Sequence, residues 1–215
     1  MTSPAPVPPG RRLPPAVKLA WTAWMAVWVP LYWIENGPAN FLWLCDLANF
    51  VLLVALWRES ALLVSSQAAG VLLVQTLWAV DYLGALLFAG HPLGGTEYMF
   101  DGASPPWLRA LSLFHLAVPP LLVWGVWRLG YDRRGWQLQT AIIWLVLPVC
   151  FLFTDPERNL NWVFEPFGRP QTLLPPAAYL ALLFAAYPLL LFFPTHLALS
   201  AWARRRGRPR LLPER

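Results

Sequence analysis

Residues 61–88 read ALLVSSQAAGVLLVQTLWAVDYLGALLF, without Lys, Arg or Pro and with one acidic residue, Asp81. About 20 apolar residues in a helix cross a hydrocarbon core about 30 Å thick. At about 1.5 Å per residue this run exceeds a straight span, so it is expected to tilt or to project beyond the membrane. The run before it, about Ala39 to Trp57, is closed by Arg58-Glu59-Ser60. The one before that, about Val17 to Ile34, ends at Glu35-Asn36-Gly37-Pro38. On the other side, a loop from Gly90 to Pro106 leads to a run from about Trp107 to Leu129. The turn Tyr131-Asp132-Arg133-Arg134-Gly135 then separates it from a run of about Trp136 to Phe153. A polar loop, Thr154 to Pro175, precedes the last run, about Pro176 to Trp202.

Six such runs imply an all-α, polytopic transmembrane bundle over residues 16–203. A Pro-rich tail, residues 1–15, is expected to be disordered, and residues 204–215 form a basic tail. A cleavable signal peptide is the competing reading of the first run, with Gly37-Pro38-Ala39 as a poor cleavage site. Composition agrees with a membrane protein. The 215 residues are 58% hydrophobic and 13% charged, about half the charge of a soluble domain. The 14 Trp suit a membrane interface, where the ring is apolar and the N–H reaches water.

The net charge of +5 does not mark a nucleic-acid partner, because the basic residues lie at the ends and in short loops and form no stripe. They set the orientation instead. Arg11, Arg12 and Lys18 precede the first run, Arg58 follows the second, and Arg128, Arg133 and Arg134 follow the fourth. Arg204, Arg205, Arg206, Arg208 and Arg210 follow the sixth. These segments alternate, so both termini are expected in the cytoplasm.

Polar groups inside an apolar helix are costly and usually face the bundle interior. Counted along the helices, Cys45, Asp46, Asn49, Gln75, Trp78, Asp81 and His115 fall in the outer half, with Cys45, Asp46 and Asn49 six to ten residues below the start of the second run. Cys150 and Tyr179 reach similar depths. Asp46 and Asn49 are three apart and Cys45 and Asn49 four apart, so all three share a helix face. The inner half is expected to hold nothing comparable, since Glu59 and His196 lie near the cytoplasmic ends. This asymmetry points to a polar pocket open to the outer side.

Each candidate has two readings. Cys45 is either a nucleophile with His115 as its base or a small buried hydrophobe, the commoner fate of a free cysteine. Asp46 either orients His115, as a triad carboxylate does, or holds two helices together by hydrogen bonding to Asn49 or Gln75. Asp81 either joins the pocket or anchors the outer end of its helix. His115, Asp81 and Asp46, with His91, offer enough donors for a three-ligand zinc site. Their spacing matches no metal signature, so neither metal nor cofactor is assigned. Glu97, Tyr98, Asp101, Asn159, Asn161 and Trp162 either line the pocket mouth or, more commonly for such positions, belong to solvated loops. Within-helix prolines such as Pro148 and Pro188 are read mostly as ordinary kinks.

The stretch Asn40-Phe41-Leu42-Trp43-Leu44-Cys45-Asp46-Leu47-Ala48-Asn49, with Gln75, Asp81, Glu97-Tyr98-Met99-Phe100-Asp101, Leu113-Phe114-His115 and Asn159-Leu160-Asn161-Trp162-Val163, resembles a family of bacterial integral-membrane proteins without an assigned activity. More distantly, Leu-Cys-Asp on one helix, Gln then Asp on the next and His on a third is similar to the androgen-induced fatty-acid-ester hydrolases and membrane acyltransferases. That resemblance implies Cys45 as nucleophile, His115 as base and Asp46, Gln75 and Asp81 as supporting groups. The expectation is a multi-pass protein of a bacterial inner membrane, directed at a membrane lipid or small apolar substrate. Its catalytic residues would be Cys45, His115 and Asp46, with Asn49, Gln75, Trp78 and Asp81 binding substrate. A small-ligand binding or transport protein, or a structural membrane protein without catalysis, is the alternative.

Overall fold

Residues 61–88 form one unbroken helix, α3 (Ala61–Phe88), and the other elements are arranged around it. In the computed structural model, residues 13–88 and 90–205 are described. Around α3 stand α1 (Pro15–Asn36), α2 (Leu44–Arg58), α4 (Pro106–Leu111), α5 (Phe114–Leu129), α6 (Gly135–Phe153), α7 (Pro176–Ala186) and α8 (Phe193–Arg205). Residues 106–129 act as one rod with a break between α4 and α5. Residues 176–205 act as another, in which a π turn over Tyr187–Phe192 joins α7 to α8. The architecture is therefore all-α with six helical rods. Four of them (residues 61–88, 106–129, 135–153 and 176–205) are long and apolar enough to cross a membrane. The tails at 1–12 and 206–215 lie outside the described residues. Pro15 already belongs to α1, and α8 runs to Arg205.

The first two rods depart from the expectation of six transmembrane spans. α1 is long enough, but Trp21, Trp24, Trp28, Trp33, Tyr32, Pro30 and Lys18 dilute its aliphatic content. α2 is short: 15 residues give about 22 Å, less than the hydrocarbon thickness. The apolar run from Ala39 is not one helix. Gly37 (φ 72°) turns the chain, Pro38–Leu42 forms a 3-10 turn, and Trp43 is extended (φ −55°, ψ 132°) before α2 begins at Leu44. Cys45 and Asp46 thus occupy the first turn of α2, not a depth of six to ten helical residues.

α3 packs on α2, α5, α6 and α8, which makes it the central helix. Close approach is set by glycines on its neighbours and on α3 itself. Gly125 faces Val64, and Gly70 faces the Gln139 side chain. A Cβ on Gly135 would stand 2.7 Å from the carbonyl carbon and the Cβ of Ser65 and 2.8 Å from the Ser66 nitrogen. Backbone cannot yield as a side-chain tip can. Gly135→Ala is expected to force α6 off α3 and cost about 1–3 kcal/mol, read as a lowered thermal midpoint in detergent. An unchanged midpoint would mean that the contact is looser than this geometry.

The end carrying Arg58, Arg128 and Arg133 is not poor in polar groups, contrary to the expected asymmetry. Gln67 Nε2 donates to Gln139 Oε1 (3.1 Å) and to Ser66 Oγ (3.0 Å). Ser65 Oγ accepts from the Asp132 backbone N–H (2.8 Å), and Tyr131 hydrogen-bonds His196 Nδ1 (2.9 Å). Gln67, Gln139, Ser65, Ser66, Tyr131 and His196 are all buried. Buried polar groups in lipid need partners on another helix, and these join α3 to α6 and the 131–135 turn to α8. Counting depth for ionisable groups overlooks such amide and hydroxyl pairs. At the same end, Lys18 Nζ meets Glu59 Oε1 at 2.5 Å, tying the start of α1 to the α2–α3 turn.

Candidate functional site

The opposite end, which carries the two long loops, gathers most of the sequence-derived candidates. Asp46 is 3% exposed. A buried carboxylate needs hydrogen-bond donors, and Asn40, one turn before α2, supplies one: its Nδ2 donates to Asp46 Oδ2 at 2.7 Å. Asn40 Oδ1 in turn accepts from Arg158 Nη2 (3.4 Å), which also donates to the Asn36 carbonyl (2.5 Å). An amide therefore connects a loop guanidinium to a buried carboxylate.

The 154–175 loop is not the solvated segment its composition suggests. Asn161 is 2% exposed, and Leu160 and Val163 are buried. Asn161 Oδ1 accepts from the Leu44 N–H (3.0 Å), while its Nδ2 donates to the Leu42 carbonyl (2.7 Å) and toward Cys150 Sγ (3.4 Å). The first N–H groups of a helix have no partner within it. Asn161 satisfies that of Leu44 from 117 residues away. Tyr187 Oη and Tyr179 Oη donate to the carbonyls of Asn161 and Trp162 and fasten the loop to the last rod. The backbone pays for this docking: Asn159, Asn161 and Trp162 are left-handed (φ 44°, 51° and 58°). Asn tolerates that region, but for Trp it is strained, by roughly 1–3 kcal/mol.

Cys45 and His115 are not joined. The Cys45 thiol faces Asp46 Oδ1 at 4.0 Å, and His115 Nδ1 is bonded to the Ser112 carbonyl at 2.8 Å. No hydrogen bond links the two side chains among the described residues. The α4–α5 break explains the histidine's position. Ser112 and Leu113 form 3-10-type turns, so the Ser112 carbonyl accepts the His115 backbone N–H (3.1 Å) and lies within reach of the ring of the same residue. The His115 ring stacks between Phe114 (4.1 Å between centroids) and Trp78 (4.5 Å). Trp78 therefore holds His115, a contact the sequence did not specify. Asn49 donates back to the Cys45 carbonyl (3.0 Å) and not to Asp46's side chain. Asn49 Oδ1 and both polar atoms of fully buried Gln75 have no partner among the described residues.

Asp81 is the anchor of its helix end. Oδ1 accepts from the Leu93 and Gly94 N–H groups (2.7 and 2.9 Å), and Oδ2 from the Thr96 N–H (3.2 Å) and hydroxyl (2.5 Å). His91 Nδ1 lies 2.9 Å from Thr96 Oγ1 and 3.3 Å from Asp81 Oδ2. This pins the 90–96 loop over the end of α3, as in the anchoring alternative read for Asp81. Ligand atoms of Asp81, His91 and Glu97 lie within 4.8 Å of one another, a spacing at which a metal ion can be held. Both Asp81 oxygens also accept hydrogen bonds from the loop.

A cleft of about 70 Å³ opens at this end, lined by Tyr32, Asn36, Tyr98, Ser104, Leu108, Arg109 and Ser112. Six of these seven side chains are polar. Tyr32 Oη and Ser112 Oγ are hydrogen-bonded to each other (3.1 Å), and Ser112 is the residue whose carbonyl holds His115. Tyr98, 38% exposed, brings a neutral phenol to the edge of the cleft. Of these residues only Tyr98 was among the positions read as a possible pocket mouth. Tyr32, Ser112 and Arg109 gave no signal, being an aromatic, a serine and a cation at helix ends. Asn40 and Asn161 did carry one: each lies in a stretch quoted for the family resemblance, and Asn is the residue that accepts left-handed backbone and caps helices. Comparison of the chain with protein-family models, curated proteins and solved structures finds no match.

Proposed function

We propose that the chain is a multi-pass membrane protein, with both termini in the cytoplasm, that binds a small polar ligand from the outer surface. The observation that carries this reading is the cleft at the loop end, walled by Tyr32, Asn36, Tyr98, Ser104, Arg109 and Ser112. Its size favours a small group. About 70 Å³ is the room of two or three waters, well under the roughly 300 Å³ at which ligand pockets for larger molecules begin. The orientation is supported by the Lys/Arg bias, with Lys18, Arg58, Arg128, Arg133 and Arg204 toward one end. Tags on both termini that are protected from outside in intact cells, with a cysteine introduced at Ser104 labelled from outside, would bear it out. The opposite labelling would overturn it.

Lipid-directed acyl transfer through a Cys45–His115 pair is the second reading, favoured by one observation: Cys45 is partly exposed beside Asp46 in the first turn of α2. That mechanism requires His115 to leave the Ser112 carbonyl and the Trp78 stack before it can take the thiol proton. The binding reading expects a lipid-like, thiol-directed probe to label Cys45 in native membranes slowly, and equally in wild type and His115→Ala. Rapid labelling lost in His115→Ala but kept in Cys150→Ala would move the assignment to acyl transfer.

A further inference from the structure

The cleft contains a cation without a counter-charge. Arg109 is half-buried in the last turn of α4, with Nη1 donating to the Met99 carbonyl at 2.6 Å. Its Nε is buried and has no hydrogen-bond partner, and no carboxylate lies within ion-pair distance of it among the described residues. The two acids closest in sequence are engaged elsewhere: Glu97 accepts from the Gly95 N–H (2.6 Å) and Asp101 from the Ala103 N–H (2.9 Å). A guanidinium drawn out of water without an opposite charge is costly. The other cleft walls, Tyr32, Asn36, Tyr98, Ser104 and Ser112, can donate hydrogen bonds, and none of them is acidic.

We infer that this cleft binds a small oxyanion, a phosphate or carboxylate group, against Arg109, with the hydroxyl groups of Tyr32, Ser104 and Ser112 completing its shell. The inference rests on the cleft being the ligand site and adds the ligand's chemical class. Planar guanidinium donors match the oxygens of such groups, and a phosphate or carboxylate fits the available volume. The group can arrive as a free anion from the outer medium or as the headgroup of a lipid in the outer leaflet. The chemistry at Arg109 is the same in either case.

The test uses the full chain in nanodiscs and radiolabelled inorganic phosphate in equilibrium dialysis. In phosphatidylcholine discs, saturable binding is expected, weakened about tenfold or more in Arg109→Gln, as loss of a charged hydrogen-bond pair implies. Ser104→Leu, which fills the cleft and leaves Arg109 and its Met99 contact in place, is expected to weaken binding similarly. It guards against misfolding of the arginine variant. Discs containing phosphatidic acid separate the two sources: phosphate displaced by the lipid identifies a headgroup site, and phosphate binding unchanged by it identifies a soluble anion. No saturable phosphate binding with no effect of phosphatidic acid on stability, or binding indifferent to both substitutions, would overturn the oxyanion assignment. Neutral acetamide, run in parallel, distinguishes the two failures. Acetamide binding that Ser104→Leu abolishes would leave the cleft a ligand site of another class. No effect of Ser104→Leu on any probe would end the binding reading as well.

Discussion

Asn161→Ala is expected to destabilise the protein by about 2–4 kcal/mol. Two backbone groups lose their partners at once: the buried Leu44 N–H its acceptor and the part-buried Leu42 carbonyl its donor. Each unsatisfied buried group costs about 1–3 kcal/mol. Alanine is also poorer than asparagine at φ 51°. Asn161→Asp separates the contributions. It keeps an oxygen for Leu44, where a carboxylate also suits the helix N-terminus, and loses the donor to Leu42. It is expected to fall between wild type and Asn161→Ala. Denaturant titration in detergent, followed by loss of helical signal, checks the order. Equal stability of all three would mean that the 154–175 loop is not docked on α2. A docked loop also predicts that Asn161→Ala exposes Cys45 to a water-soluble thiol reagent, because Trp162 packs against Trp43 two residues before it (5.3 Å between centroids).

What could be read in advance follows from the solvent. Lipid cannot satisfy backbone polar groups, so each span must be a helix with an unbroken apolar run. That is why residues 61–88 could be read as a single helix, and why Arg58-Glu59-Ser60 and Tyr131–Gly135 mark turns between rods. Asp81 was legible as one of two options, because a carboxylate at the end of an apolar run has only loop donors or a ligand to meet. The beginning of α2 was not legible. Its cap comes from Asn161, and a bond between residues 117 apart leaves no trace in local periodicity. The Gln67–Gln139 pair, 72 residues apart, escaped for the same reason. Depth was readable along the unbroken α3 but not on α2, whose start was misplaced, and azimuth was not readable on either. Gln75, Trp78 and His115 do come to one end, yet His115 meets Trp78 and its own turn, and Cys45 meets Asp46. The consequence for function is that the polar groups at the loop end form separate hydrogen-bonded sets. One surrounds Asp46, one surrounds Asp81, and the third lines the cleft beside His115.

The set around Asp46 makes the second large prediction, which concerns a pair of substitutions taken together. Asn40→Leu removes the donor on Asp46 Oδ2 and the acceptor of Arg158, stranding a buried carboxylate. Leaving a buried polar group without its partner costs about 1–3 kcal/mol, and more where it is charged, whereas replacing both partners by apolar groups of similar shape is close to neutral or stabilising. Asn40→Leu alone is therefore expected to be severely destabilising. Adding Asp46→Leu should return part of that loss, so that the double variant is more stable than Asn40→Leu. Arg158→Gln, which keeps a donor for the Asn36 carbonyl and removes the charge, tests the outer step. It is expected to cost less, about 1 kcal/mol, because Arg158 reaches Asn40 over the longer distance of 3.4 Å and is partly exposed. The cycle is read by thermal or denaturant midpoints of the four combinations of Asn40 and Asp46. A double variant whose loss equals the sum of the two single losses would show that Asn40 and Asp46 act independently. That outcome would remove the reason for calling Asp46 the buried end of a connected polar chain. A rescue would confirm the coupling and assign Asp46 to the architecture that holds α2 against the 154–175 loop, leaving the cleft at Arg109 as the place for ligand.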